Sequence, residues 1–247
     1  MRLYGIIGYP IAHSRSPEYF NELFRREGLD ARYLPFELED IHGLPALLDA
    51  HPDLCGFNVT IPHKTRILPY LDNISAEAAA VGAVNCVRIE RTAGSPHLYG
   101  YNTDVQGFRK ALEDFLPTGI RQAVILGDGG AAKAVRYVLH TLRIPSVTAS
   151  RTPKGEGRIA YSELPAFLSG EGILIVNATP LGTYPRISEC PPIPYHLLTP
   201  RHYLFDLVYN PEETEFMKRG KAAGSPTCNG YAMLLNQAKE NRKIWGF

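Results

Sequence analysis

Apolar positions along the chain fall into short runs that alternate with segments of helical period. "LYGIIGY" near the start is strand-like, and the segment from Ser16 to Gly28 spaces its apolar residues as a helix does. "ARYLPFEL" reads as extended, "IHGLPALLDAH" as helical and "CGFNVTI" as extended again. A helical stretch around "SAEAAAVG" leads to two strand-like runs, "AVNCVRIE" and "LYGYN", and a helix is expected from Asp104 to about Leu116. The strongest local signal is "RQAVILGDGGAAKAVRYVLHTL": an apolar strand, a Gly-rich turn, then an amphipathic helix. "SVTASR", "ILIVNATP" and "YLFDLVY" are further runs of buried-strand type. Strands alternating with helices predict an α/β fold with parallel sheets covered on both faces. The first hundred residues read as one α/β unit, and the chain from about Gln122 as a second, nucleotide-binding one. "SECPPIPYHLLTP" is expected to be an irregular surface connection.

Composition narrows the classes. A chain of 247 residues can bury one large core or two modest ones. The net charge of +1 gives no reason to expect nucleic acid or an acidic membrane surface as a partner. No apolar run is long enough to span a bilayer. The apolar start is broken by Gly and Pro and reads as a first strand rather than a signal peptide. Cys55, Cys86, Cys190 and Cys228 are widely spaced with no CxxC, which argues against a zinc site or a disulfide framework and fits a reducing cytoplasm. No metal is expected.

"GDGGAA" places Gly127, Gly129 and Ala132 on a G-x-G-x-x-A pattern between strand and helix. Small residues there let the backbone turn tightly and approach a pyrophosphate, while the amides at the helix start, including those of Gly130 and Ala131, face the anion. The plain alternative is a tight βα turn. Asp128 sits inside the turn, where a carboxylate either faces phosphate charge, points outward or caps the helix. About twenty residues on, an NAD site wants an acidic residue. The chain has "SRTPK" instead: Ser150, Arg151, Thr152, Pro153 and Lys154. A guanidinium fork and an ammonium suit a phosphate, which points to NADP; the bland reading of Arg151 and Lys154 is a solvated loop.

In order along the chain stand "GYPIAHSRSP", "GFNVTIPHK", "GAVN", "GYNTD", "GDGGAA", "SRT", "NATPLG", "DLVYNPEET" and "NGYAMLLNQA". Nine motifs in this order resemble the NADP-dependent shikimate dehydrogenase family, nearly end to end. The resemblance implies reversible reduction of 3-dehydroshikimate to shikimate with NADPH, in the shikimate pathway of aromatic amino-acid biosynthesis. It implies two α/β domains with the active site in the cleft between them. Residues 1–104 and 228–247 would form the N-terminal substrate domain, and residues 105–227 a C-terminal Rossmann-like NADP domain.

By the same resemblance, Lys64 is the general acid/base residue and Asp104 its partner. Hydride reduction of a ketone leaves an alkoxide that needs a proton, and oxidation of the alcohol needs one removed. Lys64 would exchange that proton or stand as a fixed cation beside the developing oxyanion; its bland reading is a surface lysine at a helix start. Which of Lys64 and Asp104 holds the proton is not written in the sequence. Ser14 and Ser16 would meet the substrate carboxylate, although Ser16 also suits a helix N-cap before Pro17. Thr60, Asn85, Asp104 and Gln237 would take the ring hydroxyls, with Tyr209 near the carboxylate; alone, Asn85 reads as a turn residue and Gln237 as a surface amide. Thr179 would line the cofactor's side, and Leu207, Gly230 and Met233 would flank the nicotinamide, unless Leu207 and Met233 are simply core. The chain departs from the family at Val105, where Gly is common, and at Thr183, where Met is common. Two rival readings remain: a quinate/shikimate dehydrogenase with broader cofactor use, and a non-catalytic NADP-binding sensor on the same scaffold. Monomer and homodimer both fit.

Overall fold

The computed structural model describes residues 1–12, 14–116 and 119–247; His13 of the first motif lies outside them. The chain divides into two compact units, residues 1–103 with 240–247, and residues 104–239.

The first unit runs β1 (Arg2–Gly8), α1 (Ser16–Arg26), β2 (Ala31–Glu37), α2 (Leu44–Ala50), β3 (Leu54–Val59), β4 (Asn73–Ile74), α3 (Ala76–Val81), β5 (Cys86–Thr92) and β6 (Ser95–Tyr101). Its sheet has the order β2-β1-β3-β5-β6-β4. β1 pairs parallel with β2 and β3, but β5 runs antiparallel to both β3 and β6. The parallel sheet expected for this unit is therefore mixed. Ala93 and Gly94 join β5 to β6 with φ of 50° and 89°, and a two-residue turn with positive φ at both positions can connect only antiparallel neighbours. Ile7, Leu54, Phe57 and Val59 from the strands pack with Leu44, Leu48 and Ile67 on one side. Tyr4, Phe20, Phe24 and Tyr33 form an aromatic layer with Trp245 and Phe247 of the C-terminal segment. Trp245 Nε1 donates to the Val87 carbonyl at 2.9 Å. Gly56 makes room for it, since a Cβ there would lie 2.4 Å from that nitrogen.

The second unit continues with α4 (Asp104–Phe115), β7 (Gln122–Leu126), α5 (Gly130–Thr141), β8 (Ser146–Ser150), β9 (Arg158–Ala160), α6 (Leu164–Leu168), β10 (Ile173–Asn177), β11 (His202–Asp206), α7 (Glu215–Ala222), β12 (Thr227–Cys228) and α8 (Tyr231–Trp245). The division between units falls inside α8, at Glu240. Sheet order is β12-β11-β10-β7-β8-β9, with every described pair parallel, as the alternation of strands and helices requires. The chain steps outward from β7 to β8 and β9, then returns to the other side of β7 at β10. That reversal opens a crevice at the carboxyl ends of β7 and β10, where such sheets take ligands. Among the described residues, no helix is long and apolar enough to cross a membrane.

Candidate active site

In the first unit, the reversal of strand order falls between β1 and β3, and the residues singled out from the sequence follow those two strands. Gly8 closes β1 against the loop after β3: a Cβ at Gly8 would lie 2.4 Å from Thr60 Cγ2. The Thr60 amide donates to the Ile7 carbonyl at 2.9 Å, and the His63 amide to the Thr60 carbonyl at 2.8 Å. Lys64 is half-buried, and its carbonyl accepts from the Val84 amide at 2.8 Å, which ties the lysine's backbone to the segment that carries Asn85. Ser14 Oγ accepts from the Ser16 amide at 3.3 Å. The N-cap of α1 is Arg15, with no side-chain cap, and Ser16 is the first helical residue, which corrects the capping role read for Ser16.

Asn85 is buried at 4% exposure. Its side-chain oxygen accepts from the Thr103 amide at 2.7 Å, and its backbone spans β3 and β6 by bonds to Val59 and Tyr101. Its side-chain nitrogen makes no hydrogen bond among the described residues, so the amide is fixed by its oxygen and keeps a donor to offer. Behind it runs a buried network that sequence reasoning missed. Thr103 Oγ1 donates to Asn241 Oδ1 at 2.9 Å, and Asn241 Nδ2 donates to Asn58 Oδ1 at 3.2 Å. Tyr33 donates its hydroxyl to the same Asn58 oxygen at 2.8 Å, and Asn58 Nδ2 donates to the Asn85 carbonyl at 3.0 Å. Buried amides satisfied in this way hold one geometry, because any other leaves a polar group dry and unpaired.

In the second unit, Asp104 opens α4 and is buried at 1% exposure. Gln237 Nε2 donates to Asp104 Oδ1. Gly107 makes this meeting possible: a Cβ there would lie 2.6 Å from Gln237 Cγ and 2.9 Å from the Met233 carbonyl, so α4 and α8 touch backbone to side chain only over glycine. Val105, the departure noted above, is fully buried core. Met233 is buried, Leu207 and Tyr209 half-buried. Leu207 and Gly230 meet through their backbones, since a Cβ on Gly230 would lie 2.2 Å from the Leu207 carbonyl oxygen. Thr183, the other departure, donates its hydroxyl to the Asn210 carbonyl at 3.4 Å.

The glycine turn lies at the crevice. Gly127 has φ of 97°, and a Cβ on it would lie 2.9 Å from Thr179 Cγ2; only glycine fits both the conformation and the approach. Gly129 is the N-cap of α5 without a side-chain cap, and the space beside it is open, leaving first-turn amides for an anion. Thr179 is fixed from below, its hydroxyl and amide both donating to Asn177 Oδ1 at 2.6 and 3.1 Å. At the end of β8, Ser150 Oγ is buried with no partner, and Arg151, Thr152 and Lys154 are exposed. Arg151 and Lys154 make no ion pair among the described residues. An orphaned hydroxyl beside two unpaired cations, over an uncapped helix start, fits a phosphorylated dinucleotide. Asp128 neither caps α5 nor points outward alone: it pairs with Arg136 at 2.5 Å and Arg158 at 3.2 Å.

Asp206, at the end of β11, is another buried group absent from the sequence reading. It accepts from Asn177 Nδ2 at 2.9 Å, the Val208 amide at 3.0 Å and Thr214 Oγ1 at 2.6 Å. Burial nevertheless pushes its carboxyl up to about 7, against the pull of those three bonds. Its partners tie β10, the loop after β11 and the N-cap of α7 together. Among the described residues no group of side chains could hold a metal ion. A hollow on the first unit lined by Glu39, Asp40, Ile41, His42, Arg66, Pro69 and Tyr70 shares no residue with the predicted set, and its two carboxylates make it a poor seat for an acid.

A phosphate-binding parallel unit, joined in one chain to an α/β unit bearing a lysine and fixed buried amides, defines a dinucleotide-dependent oxidoreductase. Residues 6–87 match the family described as shikimate dehydrogenase substrate binding domain. The whole chain is similar to a shikimate dehydrogenase (NADP(+)) from Desulforamulus reducens, 36% identical over 98% of this chain and 88% of that one. The chain belongs to the shikimate dehydrogenase family. Among solved structures it resembles shikimate dehydrogenase 1 from Peptoclostridium difficile, with a TM-score of 0.86 and 35% identity over 99% of this chain and 91% of the other. It also resembles shikimate 5-dehydrogenase from Thermus thermophilus in complex with NADP(H) and shikimate, with a TM-score of 0.84 and 31% identity over 100% and 94% of the two chains.

Proposed function

We propose that this protein interconverts 3-dehydroshikimate and shikimate with NADP(H), as a cytoplasmic enzyme of aromatic biosynthesis. The observation that carries the reading is kinship along the whole chain with a shikimate dehydrogenase (NADP(+)), which takes in both units.

The residues support specific roles. The Lys64 ammonium gives its proton to the carbonyl oxygen during reduction, and the amine takes it back during oxidation. Asp104, held by Gln237, is the carboxylate partner of that exchange and, with Gln237, a ligand of ring hydroxyls. Asn85 offers its free N–H to another hydroxyl, Thr60 lies beside it in the same role, and Ser14 and Ser16 take the carboxylate with Tyr209 nearby. Bound NADPH supplies the hydride. Gly127, Gly129, Gly130 and Ala131 hold its pyrophosphate by backbone amides, and Ser150, Arg151, Thr152 and Lys154 its 2′-phosphate. Thr179, Leu207, Gly230 and Met233 line the nicotinamide side.

The test is the near-ultraviolet absorbance of reduced nicotinamide after shikimate and NADP are mixed with the protein. Turnover with NADP and much slower turnover with NAD are expected. A wild-type protein that binds NADP but oxidises neither shikimate nor quinate is a sensor, and one that prefers quinate with NAD is the broader dehydrogenase; either result overturns the proposal.

A further inference from the structure

The carboxylate in the glycine turn is the least natural residue of the dinucleotide site. Every other feature of that corner favours anions: the uncapped start of α5, the orphaned Ser150 hydroxyl and the exposed Arg151 and Lys154. Asp128 opposes them, because a carboxylate beside bound phosphates repels them through a medium less screening than bulk water.

Two arginines from separate elements converge on it. Arg136, on α5, donates to Asp128 Oδ1 at 2.5 Å, and Arg158, at the start of β9, donates from Nε to Oδ2 at 3.2 Å. Each carboxylate oxygen thus has its own guanidinium. The three side chains are partly shielded, at 27%, 30% and 21% exposure for Arg136, Asp128 and Arg158. Both arginines are also anchored elsewhere: Arg136 Nε reaches Thr148 Oγ1 at 3.4 Å, and Arg158 Nη1 donates to the Glu156 carbonyl at 3.0 Å. Arg158 stands opposite Thr148 in the sheet. Thr148 and Ser150 are two apart on β8 and so face the same side. The cluster therefore shares a sheet face with the orphaned hydroxyl.

We propose that Arg136 and Arg158 are specificity-determining residues of the dinucleotide site: by neutralising Asp128 they keep a turn that contains a carboxylate open to a 2′-phosphorylated cofactor. Their effect runs through Asp128 rather than through contact with the cofactor. The proposal rests on the NADP reading above. The carboxylate's repulsion grows with the ligand's charge, so removing either arginine harms NADP more than NAD.

The test is a set of single and double variants read by calorimetric titration of NADP, NAD and adenosine 2′,5′-bisphosphate, with no turnover required. Arg158→Ala and Arg136→Ala are expected to weaken NADP by about tenfold and NAD by about threefold. Arg158→Lys retains binding within about threefold of wild type, because it keeps the charge. The decisive variant is Asp128→Ala/Arg158→Ala, which recovers NADP affinity to within about threefold of wild type. Circular dichroism checks that each variant is folded. A double variant as weak as Arg158→Ala overturns the proposal, since Arg158 would then touch the phosphate itself; so does NADP binding indifferent to both arginines. If the wild type binds NADP and NAD equally or leaves shikimate untouched, the functional reading fails, while recovery in the double variant still reports whether the arginines act through Asp128.

Discussion

The two units share a plan, a sheet whose strand order reverses beside its central strand, yet the residues proposed above to recognise ligands are presented in them by opposite means. The first unit buries its polar groups. Tyr33, Asn58, Asn85, Thr103 and Asn241 are wired together out of water, leaving both Nδ2 hydrogens of Asn85 free. At the end of β8 the second unit exposes its charges. Arg151 and Lys154 lie in solvent, and the turn at Gly127 and Gly129 offers backbone. A ring of hydroxyls is neutral and directional, so it needs donors and acceptors at fixed angles, and a fixed angle needs a rigid, dry support. A dinucleotide carries phosphates, which charge attracts from any angle and which backbone amides at a helix start can hold. Hence losses at Lys64 and Asn85 should be steep and specific to substrate, and losses at Arg151 and Lys154 graded and specific to cofactor.

Lys64→Ala is the harshest test: kcat is expected to fall about thousandfold, with a modest change in KM for either ligand. Near-normal turnover would break the assignment of chemistry to the first unit. Asn85→Ala should lower kcat/KM for shikimate about a hundredfold while the KM for NADP stays within about twofold. An equal loss toward both ligands would mean that the buried network supports the fold rather than the substrate. Arg151→Ala should raise the KM for NADP about tenfold and leave those for shikimate and NAD nearly unmoved; an unchanged NADP constant would leave Arg151 as a solvated charge.

The smallest expected effect concerns a buried carboxyl that its surroundings push up toward neutrality. Asp206 is raised to about 7 in the folded protein, against about 3.9 in an unfolded chain. Between those values the folded state keeps a proton that the unfolded state has lost. Its contribution to stability is therefore present below about pH 4 and lost as the pH rises toward 7. Asp206→Asn mimics the protonated form, so its melting temperature should fall less than that of wild type between pH 5 and 7, by about 5 °C. Parallel melting curves would show that Asp206 is ionised throughout.

How much was legible varied with the range of the interaction. The βα turn at Gly127 was plain in the sequence, because strand, glycines and helix follow one another and each local preference agrees. The antiparallel β5–β6 hairpin was overlooked, although the Ala93-Gly94 pair between two strand-like runs was a usable signal. The edge strands β4, β9 and β12 have two or three residues each, too few for a period to show. Nothing in the neighbourhood of Asn58 pointed to Asn241, since their contact joins positions 183 residues apart. The carboxylate of Asp128 inside the glycine turn was visible, but its two arginines come from a helix and a strand 8 and 30 residues downstream.

By itself the sequence determined the alternation of strands and helices, the glycine turn between β7 and α5, the basic end of β8 and, through nine motifs in order, the family. These rest on short-range chemistry: periodicity, glycine conformations and the charge of adjacent residues. Only the tertiary structure decided which polar side chains are buried and paired, that Asn85 keeps a donor free, that Gly107 lets Gln237 reach Asp104, and that the carboxylate at Asp128 is neutralised. Hydrogen bonds and ion pairs act over a few ångströms of space at any separation in sequence, so their partners become known only when the chain has folded.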